Sequence, residues 1–513
     1  MNLFEATLLV LYFGTLVALC GYGLHRSGTL LLFAWHRRNA PPLVPAESVG
    51  VDGLPRVTVQ LPIFNERYVA ERAIDALAAL DYPRDRLQIQ ILDDSTDDTR
   101  ALCARAADRW RRRGVDMVHL HRSDRTGFKA GALREGLKSA TGELVAIFDA
   151  DFVPTGDFLW RVIPGFSDGR VGVVQARWGH INRDYSLLTR AQAILLDGHF
   201  LVEHTARNRS GRFINFNGTA GVWRRACMED AGGWEHDTLT EDLDISYRAQ
   251  MRGWKFVFLP DVVVPAELPS EVHGFKSQQH RWAKGSVQTA IKLGVRILRA
   301  PIPVRVKAEA FAHLSANVCY PLLLLLTLLL LPMLWMRTRV LDPGAGLALD
   351  VGLFFSASIS IVAFYVAAER LSHERRGLRL ILELPLVLAL GIGLAVNNTR
   401  AVLEALVGYE TPFVRTPKHA ITATSGTWRG KVYFDRKVFS TLLELALGAY
   451  LVATVAYAVR EEFYISAAFV ALFAFGFLYI GGLSLLQAQL GALFKRRKSA
   501  PPLPQEPVLA AAS

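Results

Sequence analysis

The apolar residues of this chain are bunched, and that bunching limits its possible folds more than any other feature. Runs of about 20 apolar residues, enough for a helix to cross a bilayer, occur at 3–23, 311–336, 347–368, 438–459 and 464–486. Between the first and second lies a charged block, roughly 36–307, that reads as a soluble domain. The chain has 513 residues and a formal charge of +11. In a soluble protein that charge would suggest nucleic acid. Beside membrane spans it is better explained by basic cytoplasmic flanks, so no nucleic-acid partner is expected. The four cysteines, Cys20, Cys103, Cys227 and Cys319, are scattered and lack metal or disulfide spacing. The opening MNLFEATLL has an acid and no basic leader, as in a retained anchor.

The basic clusters predict a topology. "HRR" at 36–38 places the soluble block in the cytoplasm, and "ERLSHERRGLR" at 369–379 returns there. The stretch 378–396 is apolar enough to cross but carries Glu383 and Pro385. Laid along the inner interface, it keeps the basic residues of 415–437 and the terminal "KRRK" inside. The expected units are a membrane anchor (1–35), a cytoplasmic domain (36–270), an interfacial segment (271–307), two spans (308–370), an interfacial helix and loop (371–437), two spans (438–490) and a disordered tail (491–513). Too little chain follows the last span for an appended regulatory module to be expected.

Within the block, strand-like runs at 56–62, 87–93, 115–121 and 143–149 alternate with helical stretches such as 69–80 and 95–113. That alternation predicts an α/β domain with a mostly parallel sheet. No P-loop or dinucleotide fingerprint follows a strand. The strands end in acids instead: Asp93 and Asp94 in "ILDDSTDD", Asp149 and Asp151 in "IFDADF". Ligands of such sheets bind outside the carboxyl ends of the strands. Asp94 could be only a helix N-cap. Two carboxylates one residue apart repel unless a cation sits between them, and Mg²⁺ or Mn²⁺ shared with a substrate diphosphate meets that need. Lys129 in "FKAGAL" could add charge at the phosphates or simply be solvated. In "TLTEDLDIS", Asp242 follows Glu241 at an expected helix start capped by Thr240, as a general base or as a plain N-terminal acid. "NFNGTAGVWRR" (215–225) reads as a small-residue loop that a ligand could approach closely. "FKSQQHRWAKGS" (275–286) sets polar and cationic groups beside Trp282 just outside the membrane.

In order, Asp-Asp-Ser, Asp-x-Asp, Thr-Glu-Asp and Gln-x-x-Arg-Trp resemble the processive family 2 glycosyltransferases, the group containing cellulose synthase. "FKAGAL", "FNGTAGVWR", "VPAELPS" and "QQHRW" are most similar to the plant-type mannan and glucan synthase-like proteins and their bacterial relatives. The resemblance runs from about Gln60 to Lys418. It implies a Rossmann-like nucleotide-sugar transferase fold inserted in an α-helical transmembrane region. It further implies that Pro62, Asn65, Glu66 and Asp94 contact the nucleotide, with Lys129, Gln278 and Arg281 also on the donor. Asp149 and Asp151 would serve the diphosphate and its metal, Asp151 more directly. Asp242 would be the catalytic base, with Asn217, Gly218, Glu241 and Trp282 at the acceptor. "ETPFVRTPKHA" (410–420) resembles the gating loop of cellulose synthases through Phe413, Thr416 and Lys418, although Arg415 replaces a valine.

The activity implied is inverting polymerisation of a β-glycan, β-1,4-glucan or mannan, from a nucleotide-sugar, with translocation across the membrane. UDP-glucose is the donor expected first and GDP-mannose the other. A single-sugar transfer making a glycolipid, or a transporter without catalysis, are the alternative readings. Asn317 and Glu444 are the polar intramembrane residues that would signal the transporter. The expected location is the plasma membrane, the inner membrane in a bacterium. Expected partners are the donor, the growing glycan, the bilayer, and an envelope or secretion protein.

Overall fold

The computed structural model describes residues 3–40, 53–337, 359–372, 378–411, 413–422, 426–428, 431 and 438–499. Its centre is a seven-stranded sheet: β1 (Val57–Ile63), β2 (Leu87–Asp93), β3 (Asp116–His121), β4 (Leu144–Ile147), β5 (Val171–His180), β6 (Gly221–Arg224) and β7 (Lys255–Ala266). The spatial order is β3-β2-β1-β4-β6-β5-β7. All pairs are parallel except those of β6, which runs antiparallel between β4 and β5. The mostly parallel α/β domain expected from the sequence is therefore present. "GVWR", expected to be loop, is the antiparallel strand.

Polar residues alternate along β1 and β2, yet both strands are buried. The polar positions face each other rather than water. Thr58 donates to Gln88 at 3.0 Å and Gln60 to Gln90 at 3.0 Å. Cross-strand pairing of this kind fixes register, because a one-residue slip would turn every amide into the apolar face. The helix Phe128–Leu137 crosses this ladder at Gly136, where a Cβ would stand 2.6 Å from Gln60 Nε2.

The stretch expected to be helical from 95 becomes helix only at Thr99–Arg111. The reason is local. Asn65 Oδ1 accepts from the N–H groups of Thr96 and Asp97, and Asp93 accepts from Ser95 N at 2.8 Å. Side chains thus hold the 94–98 backbone out of helical geometry. Asp94 is no N-cap, since it binds Arg122 instead.

Among the described residues, five helices are long and apolar enough to cross a membrane: Leu3–His36, Ala316–Arg337, Leu382–Leu406, Phe439–Arg460 and Tyr464–Leu490. The span expected at 347–368 lies largely outside the described residues. The segment expected at the interface forms two helices, Leu378–Gly393 and Ala395–Leu406, broken at Leu394. Glu383, near the start, lies 3.9 Å from Arg190 on the helix Leu187–Asp197. Asn397, past the break, donates to the Lys276 carbonyl at 2.9 Å. Both ends of the pair therefore meet elements continuous with the sheet domain. Lys276 also pairs with Glu444 at 2.7 Å, both fully buried, so Glu444 serves an internal ion pair. Asn317 donates to Ser286 at 2.8 Å.

Candidate active site

The carboxyl ends of β1, β2 and β4 open onto a cavity of about 170 Å³. Its walls include Pro62, Glu66, Asp94, Lys129, Asp149 and Asp151, and across from them Asn217, Gly218, Glu241 and Asp242. The helix Val272–Arg299 contributes Gln278, Arg281 and Trp282, and the 410–420 loop contributes Phe413, Thr416 and Lys418. Of the site residues implied by the resemblance, Asn65 alone does not line it. Its side chain instead ties the 95–97 turn to β1. The strand-tip Asp93 is also outside the cavity, held by Ser95 and His119.

Four of the acids, Glu66, Asp94, Asp149 and Asp151, each have a basic partner. Arg122 grips Asp94 with two hydrogen bonds, 2.8 and 2.6 Å, a bidentate geometry that fixes the carboxylate plane. Lys129 is only 18% exposed, not a solvated surface lysine. It donates to Asp149 at 2.5 Å and to the Gly218 carbonyl at 2.9 Å. Burial alone would lower the Lys129 pKa, but Asp149, Glu241 and Asp242 outweigh it and hold the ammonium charged. Lys418 donates to Asp151 at 2.7 Å and to the Glu267 carbonyl at 2.6 Å. Arg415 lies 2.8 Å from Glu66. Burial drives Glu66 up to about 7, with Arg415 opposing and Asp151 and Asp149 assisting.

The positive charge expected between Asp149 and Asp151 is thus supplied here by two lysines. Among the described residues, Asp149 Oδ2 and Asp151 Oδ1 form no hydrogen bond, and both residues line the one cavity. Two open carboxylate oxygens suit a hard divalent cation. A separate acid cluster, Glu235, Asp237 and Asp244, is filled by the Lys292 ammonium at 2.5, 2.6 and 3.0 Å.

Asp242 sits in the first turn of the helix Glu241–Met251. Thr240 occupies the N-cap position but makes no capping bond; its hydroxyl faces Thr289 at 3.4 Å. The helix terminus does not keep Asp242 in the ordinary carboxylate range. Burial, then the neighbouring Glu241, raises it to about 7, against Lys129, the Leu243 N–H and Arg281. Gly218 closes this side: its φ is +80°, and a Cβ there would stand 2.8 Å from Asp242 Oδ2.

Trp282 faces Trp178 with ring centroids 6.4 Å apart. Arg281 caps the Phe413 ring at 4.8 Å, and Phe413 stacks on Phe128 at 5.6 Å. The 410–420 loop is therefore docked by one aromatic stack and two ion pairs. The Thr416 hydroxyl is buried without a partner among the described residues. Sequence reasoning missed Arg122, Arg125, Trp178 and Glu267. Arg125 stacks on Phe64 at 3.4 Å. The basic run "HRSDRTGFK" and the acid in "VPAELPS" were the available signals.

Asp242, Asn217, Gln278 and Trp282 also border a second cavity of about 640 Å³. It extends between the helices Leu3–His36, Cys319–Arg337 and Tyr464–Ser499 as far as Arg337 and Ser466.

Residues 55–285 match the family described as "Glycosyltransferase like family 2". Among curated proteins, glucomannan 4-beta-mannosyltransferase 2 of Arabidopsis thaliana is 45% identical over 268 residues, covering 51% of this chain and 50% of that protein. Glucomannan 4-beta-mannosyltransferase 1 of Cyamopsis tetragonoloba is 38% identical over 317 residues, covering 60% and 59%. The chain thus spans about half the length of the curated relatives it matches. A solved mannosyltransferase from Pyrobaculum calidifontis, in complex with GDP-Man and Mn²⁺, superposes with a TM-score of 0.49 at 24% identity, over 71% of this chain and 99% of that one. Residues 55–285 thus match a family 2 glycosyltransferase domain, and the curated relatives are glucomannan mannosyltransferases, in line with the resemblance carried by the ordered motifs.

Proposed function

We propose that this protein is a membrane-embedded, inverting hexosyltransferase that builds a β-linked glycan from GDP-mannose and passes it across the membrane. The observation that carries the reading is the meeting of two cavities at Asp242. One is lined by the strand-tip acids, the other runs between membrane helices. A site of that shape suits a donor held on the domain side and a product withdrawn on the other. It favours a polymer over single-sugar transfer to a lipid. GDP-mannose replaces UDP-glucose as the preferred donor because the curated relatives matched are named as mannosyltransferases.

The roles follow from position. Asp94, Glu66 and Pro62 border the nucleotide end of the smaller cavity. Asp149 and Asp151 would hold a divalent cation, Mg²⁺ or Mn²⁺, which would offset charge on the leaving diphosphate. Lys129 and Arg281 add fixed positive charge beside it. Asp242 takes the proton from an acceptor hydroxyl. That oxygen bonds to the anomeric carbon as the bond to the diphosphate breaks on the opposite face, so an α-linked donor yields a β-linkage. Trp282 and Trp178 offer flat apolar surfaces to sugar rings at the mouth of the larger cavity. The domain lies on the cytoplasmic side, where the basic flanks place it, and the segment 378–396 runs along that interface.

The test is incubation of membranes containing the protein with labelled GDP-mannose and, separately, UDP-glucose, followed by digestion with linkage-specific glycanases. A β-mannanase-sensitive polymer made from GDP-mannose is expected. Incorporation from neither donor would remove the reading.

A further inference from the structure

Gly218 brings its loop against Asp242, and the neighbouring Asn217 lines both cavities. The Asn217 backbone is pinned, since its N–H donates to buried Gln175 at 3.0 Å. Its amide orientation is set from the segment Gly198–His204, a π-helical turn. Such turns re-aim side chains and recur at functional sites. This one directs both His199 and Glu203 at the larger cavity.

Charge then sets the first link. Arg26 donates to Glu203 at 2.6 Å, and Arg207 stands 3.9 Å away. Burial would raise the Glu203 carboxyl, but Arg26 and a hydrogen bond from His199 outweigh it and hold the group well below its usual range. Ionised Glu203 can only accept. His199 Nδ1, 3.2 Å from it, therefore carries the ring proton. Asn217 Nδ2 stands 3.0 Å from Nε2, so in this placement Nε2 accepts from the amide. Reversing the amide would set two acceptors face to face. His204, the nearest ring, is kept neutral, chiefly by burial, and its Nε2 is occupied by the Asn215 carbonyl. The consequence falls on the far side of Asn217, where Oδ1 is buried with no partner among the described residues.

We propose that Glu203 and His199 are positioning residues that hold the Asn217 amide with Oδ1 toward the acceptor glycan, where it accepts a hydrogen bond from a hydroxyl next to the one Asp242 deprotonates. The inference rests on the reading of Asp242 as the base of a sugar transfer. Buried Oδ1 then gains the partner it lacks, and the acceptor is oriented without any contact to the nucleotide.

Glu203→Gln gives the strongest test. A neutral glutamine can either accept from His199 Nδ1 or donate to it, so the ring proton is no longer confined to Nδ1 and the Asn217 amide loses its fixed orientation. His199→Phe removes the acceptor for Asn217, whereas His199→Gln restores one through its side-chain carbonyl. The full-length chain, purified in detergent, is assayed for GDP binding, glycan formation from whichever of GDP-mannose and UDP-glucose the parent uses, and donor hydrolysis to free sugar. Glu203→Gln and His199→Phe should bind GDP as the parent does. Their ratio of glycan formation to hydrolysis should fall about three- to tenfold, the effect of one hydrogen bond. His199→Gln should recover most of it. An unchanged ratio in Glu203→Gln and His199→Phe, or a His199→Gln variant as impaired as His199→Phe, overturns the inference. A parent that transfers sugar from neither donor overturns the underlying reading instead, and the two failures are told apart on the same preparation.

Discussion

Asp242→Asn is the substitution whose consequences the structure defines most fully, because it should move turnover and stability in opposite directions. The change keeps size and removes basicity. General-base effects are about 10²–10⁴-fold, and glycan formation should drop within that range while GDP binding persists at Asp94 and the strand-tip acids. The parent's pH profile gives the second magnitude. With Asp242 raised to about 7, the carboxylate fraction is about one half at pH 7, about one tenth at pH 6 and about nine tenths at pH 8. Turnover should therefore rise about tenfold from pH 6 to pH 8, and Asp242→Asn should lose that slope. Stability carries the opposite sign. A carboxyl raised above its unfolded value, about 4, binds a proton on folding between the two values. The parent therefore loses stability as pH rises from about 4 to about 7 and does not regain it above. Asparagine has no such dependence, so thermal melting at pH 8 should favour the variant, with the difference shrinking toward pH 4. Thermal melting with and without GDP, and initial rates across pH 6–8, are the measurements. A variant that makes glycan at the parent rate would place the base elsewhere, with Glu241 the next candidate. A parent rate flat across pH 6–8 would refute the electrostatic argument.

Other outcomes follow from single contacts. Asp151→Asn removes one of the two proposed metal-binding carboxylates and should abolish both turnover and its dependence on added Mn²⁺ or Mg²⁺; full activity of the parent in EDTA would exclude the metal. Gly218→Ala combines a left-handed backbone with a Cβ 2.8 Å from Asp242 Oδ2; it should cost about 1–2 kcal/mol of stability and displace the base enough to lower turnover by about 10²-fold, read by melting and initial rate. A cysteine in place of exposed Val407, just past the helix Ala395–Leu406, should resist an impermeant thiol reagent in intact cells and react once they are opened. Labelling in intact cells would mean that 378–396 crosses the membrane.

The strands β1 to β4, two of which end in the site's acids, were legible because each is a short apolar or alternating run. The strands on the other side of the sheet were not. β6 has only four residues and begins with glycine, so no periodicity can emerge. β7 contains Pro260, Asp261 and Pro265, which argue against a central strand. It is in fact the sheet's last strand, where proline is tolerated, and its pairing with β5 shifts register twice. The acids of the site were legible as strand ends and motifs. Their partners were not, because Lys418 reaches Asp151 across 267 residues and no local pattern encodes such a pairing. Asn65 shows the converse: a residue within a recognised motif that acts on the backbone of the next loop.

Those long-range pairings carry a further consequence for how the site works. Of the basic groups on the acids, Lys129 and Arg122 come from the sheet domain itself, whereas Arg415 and Lys418 come from a loop that follows the helix pair Leu378–Gly393 and Ala395–Leu406. The loop is anchored at its start by Lys284, which is fully buried and contacts Glu404 at 3.2 Å, the Tyr409 carbonyl at 2.6 Å and Thr411 at 2.8 Å. Lys284 lies on the same helix as Gln278, Arg281 and Trp282. One rigid element therefore sets both the walls of the site and the root of the loop that closes it. Displacing the loop would strip Glu66 and Asp151 of their cations and leave two buried acids uncompensated, a state that is costly unless other positive charge arrives. Loop position and the charge state of the donor cavity are coupled by that electrostatic requirement. Arg415, the residue that departs from the gating-loop pattern, is half of the coupling.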